Sequence, residues 1–179
     1  QNAGGKLDTI SENKILGHIR FCTAFVNFNL ERHLQYNHLF KNYVALAVFS
    51  SATNKRSFRF EFLEKALQKA ISQTVLPDGG HVERSPMYHL LAVMDVDILS
   101  ASEIFSSAFS CLLEKTHKKM VAALHAMSHP DGEIALFNDS WLGETPSASK
   151  FLKPNSFPDT LRLNDTGYVR IGKKDEAVL

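Results

Sequence analysis

The chain has 179 residues, of which 44% are hydrophobic, which is enough for about one domain with a sizeable core. Twenty basic and nineteen acidic side chains leave a formal net charge of +1, so the sequence lacks the overall basic field that attracts nucleic acid or an anionic membrane. The longest apolar run, Tyr43 to Phe49, is far shorter than the roughly 20 residues of a membrane-spanning helix. We therefore expect a globular chain that binds neither nucleic acid nor membrane, and in which an anionic ligand requires a local basic site.

The first two predicted elements are helices. Apolar residues recur every three or four positions from Ser11 to about Leu34, which predicts an amphipathic helix with one buried stripe. The stripe consists of Ile15, Ile19, Cys22, Phe25, Val26 and Leu30. A second helix is predicted from about Asn37 to Ser51, and because it is apolar nearly all round we expect it to be buried on several sides.

The third predicted element is ambiguous at its start. Phenylalanines alternate with charged residues over positions 58–62, so a short strand is an alternative there. From Leu63 onward the helical period returns, and we favour a single helix that ends near Val75. The Pro-Asp-Gly-Gly sequence at residues 77–80 then predicts a tight turn.

Ser85 and Pro86 mark the start of a fourth helix, because serine is a preferred N-cap and proline fits the first helical turn. Its apolar positions continue to Ile98. A fifth helix is predicted from about Ile104 to Ser128, with a potential break near Ser110. A second Pro-Asp-Gly sequence closes this helix with another turn.

The composition of the sequence changes beyond Glu133, where proline, serine, asparagine and glycine interrupt the apolar positions. Residues 167–172 and 177–179 have the composition of strands, and we expect strand only after about residue 165. Five helices joined by short polar turns and followed by two strand beginnings predict a helical domain that gives way to a β-domain.

Neither the cysteines nor the histidines predict a metal site. Cys22 and Cys111 lie far apart in apolar contexts, and we expect free, buried thiols, with a disulfide as the alternative. Two histidine pairs are close in sequence, His33 with His38 and His125 with His129. These pairs have no HExxH pattern and no cysteine ligands at zinc spacing, so we expect no metal.

Three polar clusters are candidate sites. The first, Asp78 to His89, surrounds a predicted helix start, where unpaired backbone N–H groups and partial positive charge would stabilise an anionic sugar near Tyr88. The second, Arg32 to His38, lies at the junction of two helices. The third, His129 to Trp141, has an apolar centre between polar ends and offers Trp141 as a flat face for a sugar ring.

Each cluster also has an ordinary structural interpretation. The first is then a capped helix with Tyr88 packed on a neighbour, and the second holds buried side chains that satisfy backbone groups. The third is a surface turn with Trp141 packed at the edge of the core. The residues alone leave these alternatives open.

Taken together, the clusters resemble a known family. The stretches YNHLFKNYVAL, LPDGGHVERSPMYH and HPDGEIALFNDS, in this order and near this spacing, resemble the bacterial heparinase II/III-like family. The later stretch DTGYVRI resembles the family's entry into its β-sandwich. The similarity covers nearly all of residues 15–172, and the second and third stretches are long and specific.

The resemblance implies an all-α fold class, in which part of an incomplete α/α toroid is followed by the first strands of a β-sandwich domain. It implies a partial toroid at residues 1–150, a linker at 151–165 and the beginning of a truncated β-sandwich at 166–179. It also implies a lyase without a cofactor that cleaves polysaccharides containing uronic acid by β-elimination. The expected partners are an anionic polysaccharide substrate and the remainder of the β-sandwich in the same polypeptide.

The resemblance also assigns roles to individual residues. In the family an Asn or His of the NH motif neutralises the substrate carboxylate, which points to Asn37 as the catalytic group with His38 as its neighbour. The tyrosine of the family's SPxYH motif corresponds to Tyr88, and it acts as an acid and in some members also as a base. The expected substrate-binding residues are Arg84, His89, Asn138, Asp139 and Trp141.

We expect the NH and SPxYH motifs to meet on one concave surface, because both motifs start predicted helices and the helix pairs of a toroid present alternate ends to a common face. This surface should hold Asn37, His38, Tyr88 and His89. A phenol needs an electropositive setting to act as a base, and Arg84 and His89 at a helix N-terminus would supply it.

Two features depart from the family pattern. Lys41 stands where relatives commonly carry an acid, which is expected to alter subsite preference without touching the chemistry. The chain ends at Leu179, before the histidine motif that family members present from the β-sandwich, so we expect an incomplete, inactive fragment. The alternative is a non-catalytic glycan-binding or scaffold module. The sequence fixes neither the polysaccharide nor the compartment, although a periplasmic or secreted bacterial location is slightly favoured over the cytoplasm.

Overall fold

The computed structural model describes residues 8–34, 36–53, 60–152, 160–173 and 176–178. Over these ranges the chain is mainly helical, with three short strands near its C-terminal end. The elements are α1 (Thr9–Phe28), α2 (Asn37–Ala52), α3 (Phe60–Thr74), α4 (Pro86–Ser100), α5 (Ser107–Ala126), the 3-10 helix η1 (Ala148–Lys150), β1 (Thr160–Leu163), β2 (Tyr168–Lys173) and β3 (Glu176–Val178). The predicted all-α class, with the first strands near the C-terminus, is confirmed. None of the helices in the described ranges combines the length and the hydrophobicity that a bilayer span requires.

Serine caps determine where the last two long helices begin. Ser85 is the N-cap of α4, its hydroxyl accepts a hydrogen bond from the backbone of the first turn, and Pro86 begins the helix as predicted. Ser106 caps α5 in the same way. Helix α5 therefore begins at Ser107, later than predicted, and it is continuous through Ser110, so the alternative of a break there is wrong.

The core lies between α2, α3, α4 and α5. Helix α4 is buried on most of its circumference, and its Val93 and Val96 are completely buried. These side chains belong to one cluster with Phe40 of α2, Leu67 of α3 and Leu113 of α5. Helix α4 is thus fixed on several sides, so its start is a rigid platform for nearby side chains.

Helix α1 differs from the prediction. It ends at Phe28 and not near Leu34, because the backbone N–H and side-chain amide of Asn29 both bond to carbonyl oxygens of the last turn. None of its residues is buried, and Ile15 is 46% and Phe25 60% exposed. The predicted buried stripe is therefore wrong. Helix α1 contacts chiefly α2, and no element among the described residues covers its apolar side.

The two cysteines also lie on the surface. Cys22 on α1 and Cys111 on α5 are exposed and free. The prediction of free thiols is confirmed, but the prediction that they are buried is wrong. An apolar sequence context did not indicate burial, because both side chains lie on helix surfaces that face solvent.

The start of α3, for which the sequence allowed either helix or strand, is helical from Phe60. Residues 60–62 are already helical, so the alternative of a strand is wrong for them, and residues 58–59 lie outside the described residues. Phe60, Leu67 and Ile71 are buried at spacings of seven and four residues, which brings them to one helix face. Burial of this face against α2 selects the helix over the strand.

Two Pro-Asp-Gly turns follow α3 and α5, as predicted. Each turns at a glycine with φ of +90°, Gly79 or Gly132, a conformation that L side chains rarely adopt. In each turn the aspartate carboxylate accepts a hydrogen bond from the backbone N–H two residues on, at 3.0 Å for Asp78 and 2.9 Å for Asp131.

The strands form an antiparallel sheet in the order β1-β2-β3. Leu163 of β1 and Arg170 of β2 are buried, and the β1–β2 hairpin packs on α5. The Arg170 guanidinium donates a hydrogen bond to the carbonyl of Ser128, just beyond α5. The hairpin is therefore part of the same packed unit as the last helix.

Strand β1 corrects the expectation that strand appears only after about residue 165. It begins at Thr160, inside the predicted linker. Its four residues are identified as a strand by their antiparallel pairing with β2, which the local sequence does not indicate. Residues 153–159 of that linker lie outside the described residues. The domain boundaries at 150 and 166 remain predictions.

Candidate functional site

The start of α2 and the loop before α4 meet through side-chain hydrogen bonds. The Asn37 carboxamide oxygen lies 3.0 Å from His81 Nε2, and the Asn37 Nδ2 group donates to the Glu83 carboxylate at 3.1 Å. Glu83 precedes the α4 N-cap Ser85 by two residues. The NH cluster and the loop that leads into the SPMYH segment are therefore adjacent, although they are far apart in sequence.

His81 is completely buried and electrically neutral. Its Nδ1 atom accepts a hydrogen bond from the Glu83 backbone N–H at 3.1 Å. Burial, reinforced by repulsion from His89, lowers the pKa of His81 to about 3. A neutral imidazole whose Nδ1 is an acceptor carries its proton on Nε2, so His81 donates that proton to the Asn37 oxygen.

The carboxyl group of Glu83 is influenced by two other charged side chains of the site, Asp139 and His38. Burial raises its pKa first, repulsion from Asp139 raises it further, and His38 and the Asn37 hydrogen bond act in the opposite direction. Asp139 and His38 therefore lie close enough to Glu83 to influence its charge. His38 itself is exposed, and its Nδ1 atom lies 3.8 Å from the Glu31 carboxylate.

The third polar cluster docks against the start of α4. The hydroxyls of Ser85 and Ser140 lie 2.9 Å apart, and the Met87 N–H donates to Ser140 Oγ at 3.0 Å. The Asn138 side-chain amide donates a hydrogen bond to the Arg84 carbonyl. Asn138 and Asp139 are thus held beside the loop that contains Arg84.

Asp78 connects the same loop to the β1–β2 hairpin. Its carboxylate accepts hydrogen bonds from the N–H groups of Asp165 and Thr166, both at 2.7 Å, and from the Thr166 hydroxyl at 2.6 Å. Burial alone would raise the pKa of Asp78, but the bonds from Thr166, Gly80 and Asp165 lower it overall. Thr166 lies so close to Gly80 that a side chain there would overlap it.

Strained backbone is concentrated at this site. Among the described residues, the non-glycine residues with φ in the left-handed region are Tyr36 at +62°, Arg84 at +54° and Asn138 at +52°. Tyr36 directly precedes Asn37, and the other two are joined by a hydrogen bond. Such conformations cost about 1–3 kcal/mol each and cluster at functional sites. The strain is therefore independent support for a site at this end of the helices.

A cleft of about 500 Å³ opens between the loop and the hairpin. It is lined by Arg84, Phe137, Asn138, Thr166, Gly167, Tyr168 and Val169. The rings of Phe137 and Tyr168 lie 5.7 Å apart, and the Tyr168 hydroxyl donates to the Arg84 carbonyl at 2.8 Å. Two aromatic rings beside an exposed arginine are suited to an anionic sugar.

The remaining predicted residues are placed as follows. Tyr88 is half-buried in the first turn of α4, and its N–H bonds to the Ser85 hydroxyl at 3.3 Å. Trp141 is 66% exposed, so the alternative that it packs at the edge of the core is wrong. Lys41 pairs with Asp95 on α4, with its Nζ atom 2.6 Å from the carboxylate.

His89 requires a correction. It is completely buried, and its Nε2–H donates to the Met120 carbonyl of α5 at 2.9 Å. Burial lowers the pKa of His89 to about 4, so the ring is neutral near pH 7 and supplies no positive charge to Tyr88. The prediction that His89 contacts substrate is wrong, because it faces the core between α4 and α5.

Two residues of the site, His81 and Glu83, were not among the predicted functional residues. Both lie in the quoted LPDGGHVERSPMYH stretch. The sequence feature that could have indicated them is the density of polar residues before a predicted helix start. Their contact with Asn37 is visible only in the folded structure. Among the described residues, no group of three or more His, Cys, Asp and Glu side chains is arranged to hold a metal ion.

Similarity to a known family extends over this part of the chain. No curated protein and no solved structure shows a significant match to the chain. The family described as Heparinase II/III N-terminus matches residues 25–163, which is more than half of the chain and includes the NH motif, the loop before α4 and the third cluster. The chain therefore belongs to the heparinase II/III N-terminal family.

Proposed function

We propose that the protein is a polysaccharide lyase that cleaves uronic-acid-containing glycans by β-elimination at the site around Asn37 and Tyr88. The observation that carries this proposal is the orientation of the Asn37 amide. Its oxygen accepts from His81 and one N–H donates to Glu83, while the second N–H has no acceptor among the described residues. We propose that this N–H binds a carboxylate of the substrate.

Elimination next to a uronate carboxylate makes three chemical demands. The C5–H bond breaks with transfer of the proton to a base, its electron pair forms the C4–C5 double bond, and the C4–O4 bond breaks as O4 takes up a proton. The carboxylate beside C5 must be neutralised, because negative charge develops on it as the proton leaves. An amide N–H directed at that carboxylate meets this demand.

Tyr88 is the proposed proton donor to O4. A phenol carries an O–H donor and can therefore give its proton to a leaving oxygen. His38 follows Asn37 in the NH motif, and its exposure leaves it accessible to substrate. We assign His38 to the catalytic group with Asn37 and Tyr88.

The proposed substrate is an anionic polysaccharide that extends from the reaction centre into the cleft beside Arg84. Arg84 and Asn138 line that cleft, and Asp139 and the exposed Trp141 follow on the same segment. An exposed indole offers a flat apolar face on which a sugar ring stacks.

The test uses the full-length protein and a panel of uronate polymers, with turnover followed by the ultraviolet absorbance of the unsaturated product. We expect Tyr88→Phe to lower turnover by at least about 10²- to 10⁴-fold, the usual contribution of a positioned acid or base. Removal of one half-buried hydroxyl should cost only about 1 kcal/mol of stability. Asn37→Ala should also lower turnover, whereas Trp141→Ala should mainly weaken binding.

The matched control is Tyr43→Phe, which removes the same hydroxyl from α2 in a different groove, lined by α1, α2 and α3. It should leave turnover unchanged. Near-normal turnover by folded Tyr88→Phe would remove Tyr88 from the mechanism. If the unchanged protein binds uronate polymers but cleaves none of them, a non-catalytic glycan-binding module replaces the lyase.

A further inference from the structure

We propose that His81 and Glu83 are positioning residues that hold the Asn37 amide in the one orientation that directs an N–H at the substrate carboxylate. This inference rests on the proposed function, because it concerns how Asn37 performs its role. Both residues lie in the first polar cluster, but the sequence assigned a role to neither of them.

The position of the proton on His81 follows from its neighbours. The Glu83 backbone N–H points at His81 Nδ1 over 3.1 Å, so Nδ1 must present its lone pair. The ring is buried and neutral, and its single proton is therefore on Nε2. His81 can act toward Asn37 only as a donor.

The orientation of the Asn37 amide follows in turn. Its oxygen must face the His81 Nε2–H, 3.0 Å away, because an NH₂ group there would oppose a second donor. Its nitrogen then faces the Glu83 carboxylate, an acceptor, at 3.1 Å. The two neighbours independently demand the same orientation, so a flipped amide would lose both hydrogen bonds.

The burial of His81 suits it to this task. His81 is completely buried, so its ring cannot swing away, and it adds no charge that would compete with the substrate. Glu83 and His81 also belong to one short loop that begins at Asp78. The carboxylate of Asp78 binds the N–H groups of Asp165 and Thr166 in the hairpin, and this contact, the Asp78 clamp, limits backbone movement of the loop. A side chain misplaced by about 1 Å can lower a reaction rate by about 100-fold.

Two variants of His81 distinguish its role as a hydrogen-bond donor to Asn37 from its role as an acceptor for the Glu83 N–H. In His81→Gln the terminal amide reaches the position of Nε2 and can still donate to Asn37. In His81→Asn the shorter side chain reaches the position of Nδ1, so it can accept from Glu83 but not donate to Asn37. We expect His81→Asn to lower kcat by about 10- to 100-fold and His81→Gln by no more than about 3-fold.

Two substitutions of Glu83 test whether its carboxylate helps to hold the Asn37 amide. Glu83→Ala removes the acceptor of the Asn37 N–H and should lower kcat by about 10-fold. Glu83→Gln keeps an acceptor oxygen at the same reach and should recover most of that loss. KM should change little in either variant, because the Asn37 amide is expected to act mainly as charge develops in the transition state.

A double-mutant cycle distinguishes positioning from general support of the fold. Once Asn37→Ala has removed the amide, adding His81→Asn should lower kcat no further, since both changes remove one function. An undiminished additional loss, or equal effects of His81→Asn and His81→Gln that follow their melting temperatures, would overturn the proposal.

A readout independent of turnover keeps the two proposals distinguishable. Nitrogen NMR of the full-length protein should show His81 as the Nε2–H tautomer and the Asn37 side-chain amide as ordered. The amide should become mobile in His81→Asn and stay ordered in His81→Gln. If no uronate polymer is cleaved, the lyase proposal fails even though this amide is held. A mobile Asn37 amide in the unchanged protein rejects the positioning role by itself.

Discussion

At the scale of single residues, one ion pair links α2 to α4. The Lys41 ammonium lies 2.6 Å from the carboxylate of Asp95, whose side chain is only 8% exposed. Burial raises the pKa of Asp95, and the hydrogen bond and charge of Lys41 act against that rise. Lys41 therefore stabilises a carboxylate that would otherwise be isolated in the core, whatever its effect on subsite preference.

We predict that Lys41→Met destabilises the protein by about 1–3 kcal/mol at pH 7, because it leaves a buried carboxylate unpaired. The loss should shrink as the pH is lowered, since Asp95 then becomes protonated and needs no cation. Urea unfolding at several pH values measures it. Lys69→Met, on the exposed side of α3, is the control and should change stability by less than about 0.5 kcal/mol.

The candidate site was predictable from the sequence only in part. Asn37 and Tyr88 stand in motifs that mark helix starts, and the structure brings the NH cluster to the loop before α4. His81 and Glu83 were not predicted because their role depends on contact with a residue more than 40 positions away. His89 was assigned wrongly, because successive side chains of a helix point about 100° apart, so His89 does not share the direction of Tyr88, and its ring faces the core.

At the scale of elements, the Asp78 clamp fixes the β1–β2 hairpin to the loop before α4. We predict that Asp78→Asn weakens this contact by about 1–3 kcal/mol, because an amide replaces one charged acceptor by a donor that opposes backbone N–H groups. Hydrogen exchange over residues 160–173 should become faster than in the unchanged protein.

The second Pro-Asp-Gly turn supplies the control for this prediction. Asp131 accepts the same local hydrogen bond, from Glu133, but its turn is not clamped to the hairpin. Asp131→Asn should therefore leave hydrogen exchange of the hairpin unchanged. Equal effects of the two substitutions would show that Asp78 acts only within its own turn.

Helix starts were predictable where the capping residue was unambiguous. Ser85 followed by Pro86 identified the start of α4, whereas the start of α5 was placed too early, because Phe105 is apolar but lies before the cap Ser106. The burial of α1 could not be predicted, since periodicity shows which residues share a face and not whether another element covers it. Strand β1 was missed because four residues give too short a pattern.

At the scale of the whole molecule, two buried neutral histidines make the fold sensitive to acid. The pKa of His81 is about 3 and that of His89 about 4, both below the ordinary value of 6.5. The unfolded chain therefore binds more protons below about pH 6.5, and stability falls as the pH drops toward these folded values. The lowered pKa of Asp78 acts in the same direction, and the raised values of Glu83 and Asp95 oppose it.

We predict that lowering the pH from 7.5 to 5 reduces the free energy of unfolding by about 2 kcal/mol for each of the two imidazoles, less the opposing contribution of the carboxyls. Urea unfolding at the two pH values measures this difference. His89→Gln should shrink it by about 2 kcal/mol, whereas His33→Gln on the surface should not change it. A difference that is the same in all three proteins would contradict the assignment.

The Asp78 clamp also sets an order of events during synthesis. The carboxylate of Asp78 and its donor Thr166 are 88 residues apart. At about 5–20 residues per second, the ribosome makes Thr166 roughly 4 to 18 s after Asp78. The residues of α3, α4 and α5 have been synthesised by then, but the loop that carries His81 and Glu83 still lacks its bonds to the hairpin. The bonds between Asp78 and the hairpin can therefore form only after the residues of the helical core have been made.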